Sequence, residues 1–279
     1  MRELRQSWWV IVGVTALTLC GREGVQAQGE AQRDGQIGSK ELAALLETAR
    51  DELETADLSE KEIELRLKIV ESVATVKAYF PHAYRGRPEY RNPKFWVQND
   101  EGSFVPRRSP TASIRDLWRT ESGVRCHKLS TLVMLKGLID TADAKKLAEL
   151  DELLRDKVIP NDLPDEGVGT LFEQPDPEEG DVFQAEEFLP GDEVWFDNPY
   201  FDQLSAELQS RFHGQEGHHV FYVGGGQVMD MYSREAIPIE DFRDSFLHWG
   251  SVTIVAEEED LEPTADEFQI KSVRRVIVE

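Results

Sequence analysis

Cysteine is nearly missing from this chain: Cys20 and Cys126 are the only two in 279 residues. That excludes a fold held together by a disulfide framework. Positive charge is also scarce, with 31 Lys and Arg against 54 Asp and Glu and a formal net charge of -23. A surface this acidic repels phosphate backbones and anionic lipid heads, which sets aside nucleic acid and membrane surfaces as partners. Long apolar runs are lacking too. The longest, from Trp8 to Cys20, is shorter than an ordinary membrane span needs. There is no internal repeat and no low-complexity tract, so solenoids and fibrous folds drop out. What remains is a globular composition, 40% hydrophobic and 9% aromatic. It suffices for one large domain, or a core with a small appendage.

The first residues read MRELRQSWWVIVGVTALTLCGREGVQAQ. Arg2 and Arg5 form a basic head, the run from Trp8 to Cys20 is apolar, and Val25-Gln26-Ala27 fits a small-x-small cleavage site. The expectation is a signal peptide over 1–27 and a secreted, periplasmic or cell-envelope protein with no membrane attachment after cleavage. A single N-terminal anchor helix is the alternative. Leu19 argues against lipidation at Cys20, because a lipobox wants a small residue there. Cleavage would leave Cys126 as the sole thiol. Such a thiol is buried and inert, paired between chains, or reactive.

Residues 28–38 read as a flexible lead. Two helices are expected at 39–56 and from Ser59 toward Phe80, the second opened by a Ser59/Glu62 capping box and stopped by Pro81. They predict a helical hairpin over 28–85, packed on a catalytic domain at 86–279 or serving as a dimerisation arm. Residues 81–110 show no period. Short helices follow at 111–119 and 143–158, and the strongest helical pattern runs from Cys126 to Ile139. Residues 161–190, acidic and rich in Pro and Gly, read as a long surface loop, a candidate lid. Strands are expected at 193–196, 219–223, 227–232, 251–256 and 268–278, with Gly224-Gly225-Gly226 turning a hairpin. Helices first and strands second give the class α+β.

At the first turn of its helix, Cys126 meets unpaired backbone N–H groups and the positive end of the dipole. Both favour a thiolate nucleophile, and the same N–H groups suit an oxyanion. A base must come from elsewhere, since His127, adjacent on a helix, points in a different direction. His218 and His219 open the hairpin and face opposite sides of the strand. A loop of three glycines places Asp230 diagonal to His218; a loop of two places it opposite His219. The three-glycine register is preferred, giving Cys126, His218 and Asp230 as a nucleophile, base and orienting group. A polar strand rim explains the two histidines equally well on spacing alone. Zinc on His213, Glu216, His218 and His219 is the weaker alternative, because adjacent strand residues diverge.

Four blocks in order, NPKFWVQNDEGSFVPRRSPTASIRDLW (92–118), RCHKLSTLVMLKGLID (125–140), GDEVWFDNP (191–199) and GHHVFYVGGGQVMD (217–230), resemble the bacterial spore-coat protein-glutamine gamma-glutamyltransferases. The resemblance implies a papain-like core shared with NlpC-type cell-wall hydrolases, a nucleophile-bearing helix packed on an antiparallel sheet. It implies Cys126 as the nucleophile. In the transferases a glutamate occupies the position of His218, and an acidic residue that of Arg125; the cell-wall enzymes place a histidine at His218 and a polar partner at Asp230.

The reading that follows is an exported acyltransferase that forms a thioester from protein glutamine and passes it to an amine. Its partners would be proteins or peptides carrying glutamine and amine donors, and it would need no cofactor and no metal. Trp118, Trp195 and Tyr222 are the expected substrate-contacting residues. Two alternatives stand beside it: a cell-envelope peptidase or amidase using the same triad with water, and a non-catalytic binding protein on the same fold.

Overall fold

A computed structural model describes residues 37–79, 92–98, 104–107, 109–155, 171–175, 183, 185–198, 200–211, 216–247, 261 and 270–277. Helices α1 (Ser39–Thr55) and α2 (Glu60–Thr75) come first. Ser59 caps α2, its Oγ accepting from the Glu62 N–H at 3.2 Å. The reciprocal half of the box is not made, because the Glu62 carboxylate accepts from Arg66 Nε at 3.1 Å instead. The helix ends at Thr75, short of the expected Phe80. Strand pairing takes over there: β1 (Ala78–Tyr79) lies parallel to β4 (Ser122–Gly123).

The stretch without a period contains a small hairpin, β2 (Trp96–Gln98) with β3 (Phe104–Pro106). Helix α3 (Pro110–Leu117) follows, with Ser109 as its cap and proline at its first position, where no N–H is needed. Next come α4 (Cys126–Thr141) and α5 (Ala144–Leu154), the latter capped by Asp143, which accepts from Lys146 N–H at 2.8 Å. Helix α4 is buried on nearly every side from Leu129 to Ile139. A helix that is apolar all round belongs inside the fold. It crosses α2 at Gly137, where an added Cβ would sit 2.5 Å from Ile69 Cγ1.

The sheet is built from β5 (Phe172–Glu173), β6 (Glu193–Asp197), β7 (Gly217–Gly224), β8 (Gln227–Met229), β9 (Ala236–Pro238) and β10 (Ile270–Val276). Their order is β5-β10-β6-β7-β8-β9, every pairing antiparallel. Two short helices, α6 (Ala206–Arg211) and α7 (Ile239–Leu247), lie between strands in sequence. Phe221, Val223 and Met229 join one core with α1, α2 and α4. Val194, Phe196, Val220, Tyr222 and Val228 point the other way, toward Phe188 and Phe242. Alternation along β7 and β8 therefore feeds two cores, and the helix-backed antiparallel sheet is the expected α+β arrangement.

Asp192, completely buried, joins three parts of the chain. Its Oδ1 accepts from Arg66 Nη1 of α2 at 2.8 Å, and its Oδ2 from Arg275 Nε of β10 at 2.9 Å. Two guanidinium groups compensate one buried carboxylate, which would otherwise cost several kcal/mol.

The segment 161–190 departs from its reading as a surface loop. Most of it lies outside the described residues, but β5 pairs with β10, and Phe172, Phe183 and Phe188 are buried. Apolar anchors hidden in an acidic sequence hold this part against the sheet. The expected strand at 251–256 lies outside the described residues.

Candidate active site

The glycine turn decides which histidine meets Asp230. Gly225 and Gly226 form a two-residue turn with φ of 63° and 69°, the left-handed conformation that such tight hairpins require. Gly224 pairs with Gln227, yet Tyr222 pairs with Val228 and Phe221 with Met229. A bulge at Val223–Gly224 absorbs one residue. The expected three-glycine loop is thus not formed, but the register below the bulge is the one that loop would have given. Asp230 falls diagonal to His218, on the same face.

His218 Nε2 lies 2.8 Å from Asp230 Oδ1. The other carboxylate oxygen accepts from the backbone N–H of Tyr232 at 3.1 Å and of Ser233 at 2.7 Å. These bonds, with the His218 charge, hold Asp230 below the ordinary carboxylate range although burial pushes it up. His218 is only 7% exposed, and the Phe242 ring stacks on it at 6.2 Å. Burial would lower its pKa. Hydrogen bonds to Asp230 and to Cys126, reinforced by their negative charges, outweigh that and push it up to about 10. Cys126 is half-buried at the first position of α4, as expected. The structure brings Cys126, His218 and Asp230 together.

A second polar layer runs beside the first. His219, on the opposite face of β7, is joined through Nδ1 to Glu193 Oε1 of β6. Arg274 of β10 donates to Glu193 Oε2 at 2.6 Å and reaches Ser130 Oγ at 3.0 Å and Thr131 Oγ1 at 3.2 Å on α4. Arg274 and His219 together hold Glu193 far below the ordinary range, against the effect of burial. His127 is lowered to about 4, first by partial burial, then by the charges of Lys128, His219, Arg125 and Arg274. It is therefore a neutral imidazole at neutral pH. The layer fastens the front of α4 to three strands.

The three expected substrate contacts fall in different places. Trp195 on β6 stands beside the site, its ring 4.3 Å from that of His219. It lies across the backbone of Gly217, where a Cβ would come within 2.3 Å of the indole. Trp118 donates from Nε1 to the Ser72 carbonyl at 2.9 Å and is covered by Lys136, roughly 15 Å along α4 from Cys126. Tyr222 is buried beside Phe188; its hydroxyl accepts from Gly226 N–H at 3.1 Å, roughly 13 Å along β7 from His218. The fold brings Trp195 beside His219, next to His218, and does not bring Trp118 or Tyr222 there. For the zinc alternative, His218 and His219 turn to different carboxylates, and no cluster of metal-ligating side chains occurs among the described residues. His213 lies outside them.

Sequence reasoning missed Tyr232, Phe242, Glu193 and Arg274. The one available signal was the DMYSR turn, in which an Asp followed by two backbone donors marks an Asx-type turn. Phe242 and Arg274 are brought in only by tertiary packing.

The family model described as protein-glutamine gamma-glutamyltransferase matches residues 31–233, a span that includes Cys126, His218 and Asp230. The chain belongs to this family. Among solved structures, the transglutaminase from Geobacillus stearothermophilus (without C-terminal extension) is similar in fold. It has a TM-score of 0.53 and 19% identity over 79% of this chain and 95% of that one. No curated protein matches. This chain is thus an acyltransferase of protein glutamine with amine donors as partners, carried on an α+β fold. The hydrolytic and non-catalytic readings give way to it. No helix among the described residues is long and apolar enough to cross a membrane.

Proposed function

We propose that Cys126, His218 and Asp230 carry out the glutamine acyl transfer of this enzyme. The observation that carries the proposal is the double engagement of His218, with Asp230 at 2.8 Å on one side and Cys126 on the other. The Cys126 sulfur attacks the side-chain carbonyl carbon of a glutamine. The oxyanion is received by the Cys126 backbone N–H, which has no partner within its helix. The His218 imidazolium gives its proton to the leaving nitrogen, the C–N bond breaks, and ammonia departs. A thioester remains. An amine then attacks the same carbon, His218 takes its proton, and the C–S bond breaks to release an isopeptide product. Asp230 keeps the imidazole oriented and stabilises its charged form in both halves.

Labelled cadaverine and a glutamine-bearing protein test this directly. Wild-type enzyme should incorporate the label, and Cys126→Ser and His218→Ala should not. Wild-type enzyme that converts glutamine to glutamate without incorporation would assign the second step to water instead.

The basic head at Arg2 and Arg5, the apolar run and the small-x-small site support export through a signal peptide, with action outside the cytoplasm. N-terminal sequencing of the protein from the culture medium or cell envelope should begin near Gln28. An intact Met1 there would overturn this.

A further inference from the structure

Three bonds leave a single turn of the chain, Asp230 to Arg234, and reach three other elements. Asp230 holds His218. The hydroxyl of Tyr232, completely buried, donates to the Val124 carbonyl at 2.7 Å. Arg234 Nη1 donates to the Val76 carbonyl, the C-cap of α2, at 3.2 Å. The turn itself is closed by Arg234 N–H on the Asp230 carbonyl at 2.9 Å. Arg234 adopts φ 56°, a left-handed conformation rare for a side-chain-bearing residue. Such a conformation persists only where its surroundings hold it.

Val124 stands two residues before Cys126. Its N–H donates to the Tyr79 carbonyl at 3.2 Å, which fixes one side of the leader strand, and Tyr232 fixes the other. The Tyr232 ring also lies 6.4 Å from the His218 ring, and its backbone N–H serves Asp230. One residue therefore touches the path to the nucleophile, the base, and the group that orients the base. Burial, with the nearby charges of Cys126 and Asp230, keeps the phenol protonated and hence a donor at any working pH.

We infer that Tyr232 is a positioning residue that sets the Cys126 sulfur against the His218 imidazole. Its hydroxyl acts on the backbone that leads into α4, so losing it lets the sulfur drift from the imidazole while leaving the ring in place. This rests on the triad assigned above.

The test is Tyr232→Phe, which removes one oxygen. Alkylation of Cys126 by iodoacetamide at pH 6 should slow about tenfold, the scale expected for sub-ångström misplacement. In amine incorporation, kcat should fall by a similar factor with KM for the glutamine donor unchanged. By NMR, the His218 proton should be lost at lower pH in Tyr232→Phe than in the wild type. A purely structural hydroxyl would lower Tm and leave both the alkylation rate and the His218 titration as they were, which would overturn the inference. If Tyr232→Phe does not fold, 4-aminophenylalanine at 232, which keeps the ring and offers the Val124 carbonyl a weaker donor, takes its place; slowed alkylation together with a lowered His218 titration supports the inference, and both at wild-type values overturn it. Alkylation needs no acyl transfer. A wild type that alkylates fast but incorporates no amine would therefore sink the proposed function and leave the positioning role standing.

Discussion

His218, on β7, and Asp230, the residue just past the end of β8, meet at 2.8 Å, the imidazole Nε2 against a carboxylate oxygen. The pair makes a graded prediction. Asp230→Asn keeps an oxygen that can accept from Nε2–H and loses only the charge, whereas Asp230→Ala loses both. Amine incorporation should drop on the order of 10²–10³-fold for Asp230→Ala, within the range for general acid–base groups, and less for Asp230→Asn where its amide turns the oxygen to Nε2–H. Equal losses for the two variants would mean that orientation by an acceptor is unimportant.

The same pair predicts how stability follows pH. His218 titrates near 6.5 when unfolded and at about 10 when folded. A raised folded value means that its contribution is fully present below pH 6.5 and is lost as pH rises through 10. Asp230, lowered on folding, contributes above its unfolded value near 3.8, and that contribution fades in acid. Urea midpoints from pH 6 to 10 should fall in the wild type, and the fall should be smaller in His218→Gln.

Gly137→Ala tests the helix crossing. Alanine is the better helix former by about 1 kcal/mol. Its methyl, however, would stand 2.5 Å from Ile69 Cγ1 and 3.2 Å from the Ile69 backbone nitrogen. Overpacking should win, with a net loss of about 1–3 kcal/mol and a Tm lower by roughly 2–4 °C for each kcal/mol. Ile69→Ala in the same chain should recover part of that loss, as expected for directly coupled neighbours.

Arg274→Met removes the cation facing Glu193, whose side chain is 2% exposed. The carboxylate keeps only His219. Truncating one partner of a buried pair costs about 3–5 kcal/mol, and the partial exposure of Arg274 places the expectation at the lower end. Chemical denaturation gives the number. Cys126 alkylation should slow as well, because Arg274 also grips Ser130 and Thr131 near the start of α4.

The parts of the site legible in the sequence are those set by local rules. The capping residue Ser59, the helix behind Cys126 and the alternation along β7 all follow from short-range patterns, and the structure has them. The face shared by His218 and Asp230 was readable for the same reason. Turn length alone does not fix that face, because the Val223–Gly224 bulge uncouples loop length from register. Tyr79 could not be placed from pattern either; it leaves the helix to pair with Gly123, far along the chain. Phe242 reaches the site from a helix without a sequence signature, Arg274 stands on an expected strand but meets Glu193 through a pairing no local rule gives, and Trp118 satisfies its indole on a carbonyl that no periodicity points to.

The spare residue in the ribbon sits at Val223–Gly224, above the pairs that set which face His218 shares. Deleting Gly224 would leave Gly225 and Gly226 as a plain two-residue connection, with Tyr222 still across from Val228. Changes of length at that edge can therefore be absorbed locally, and the base stays aimed at the sulfur.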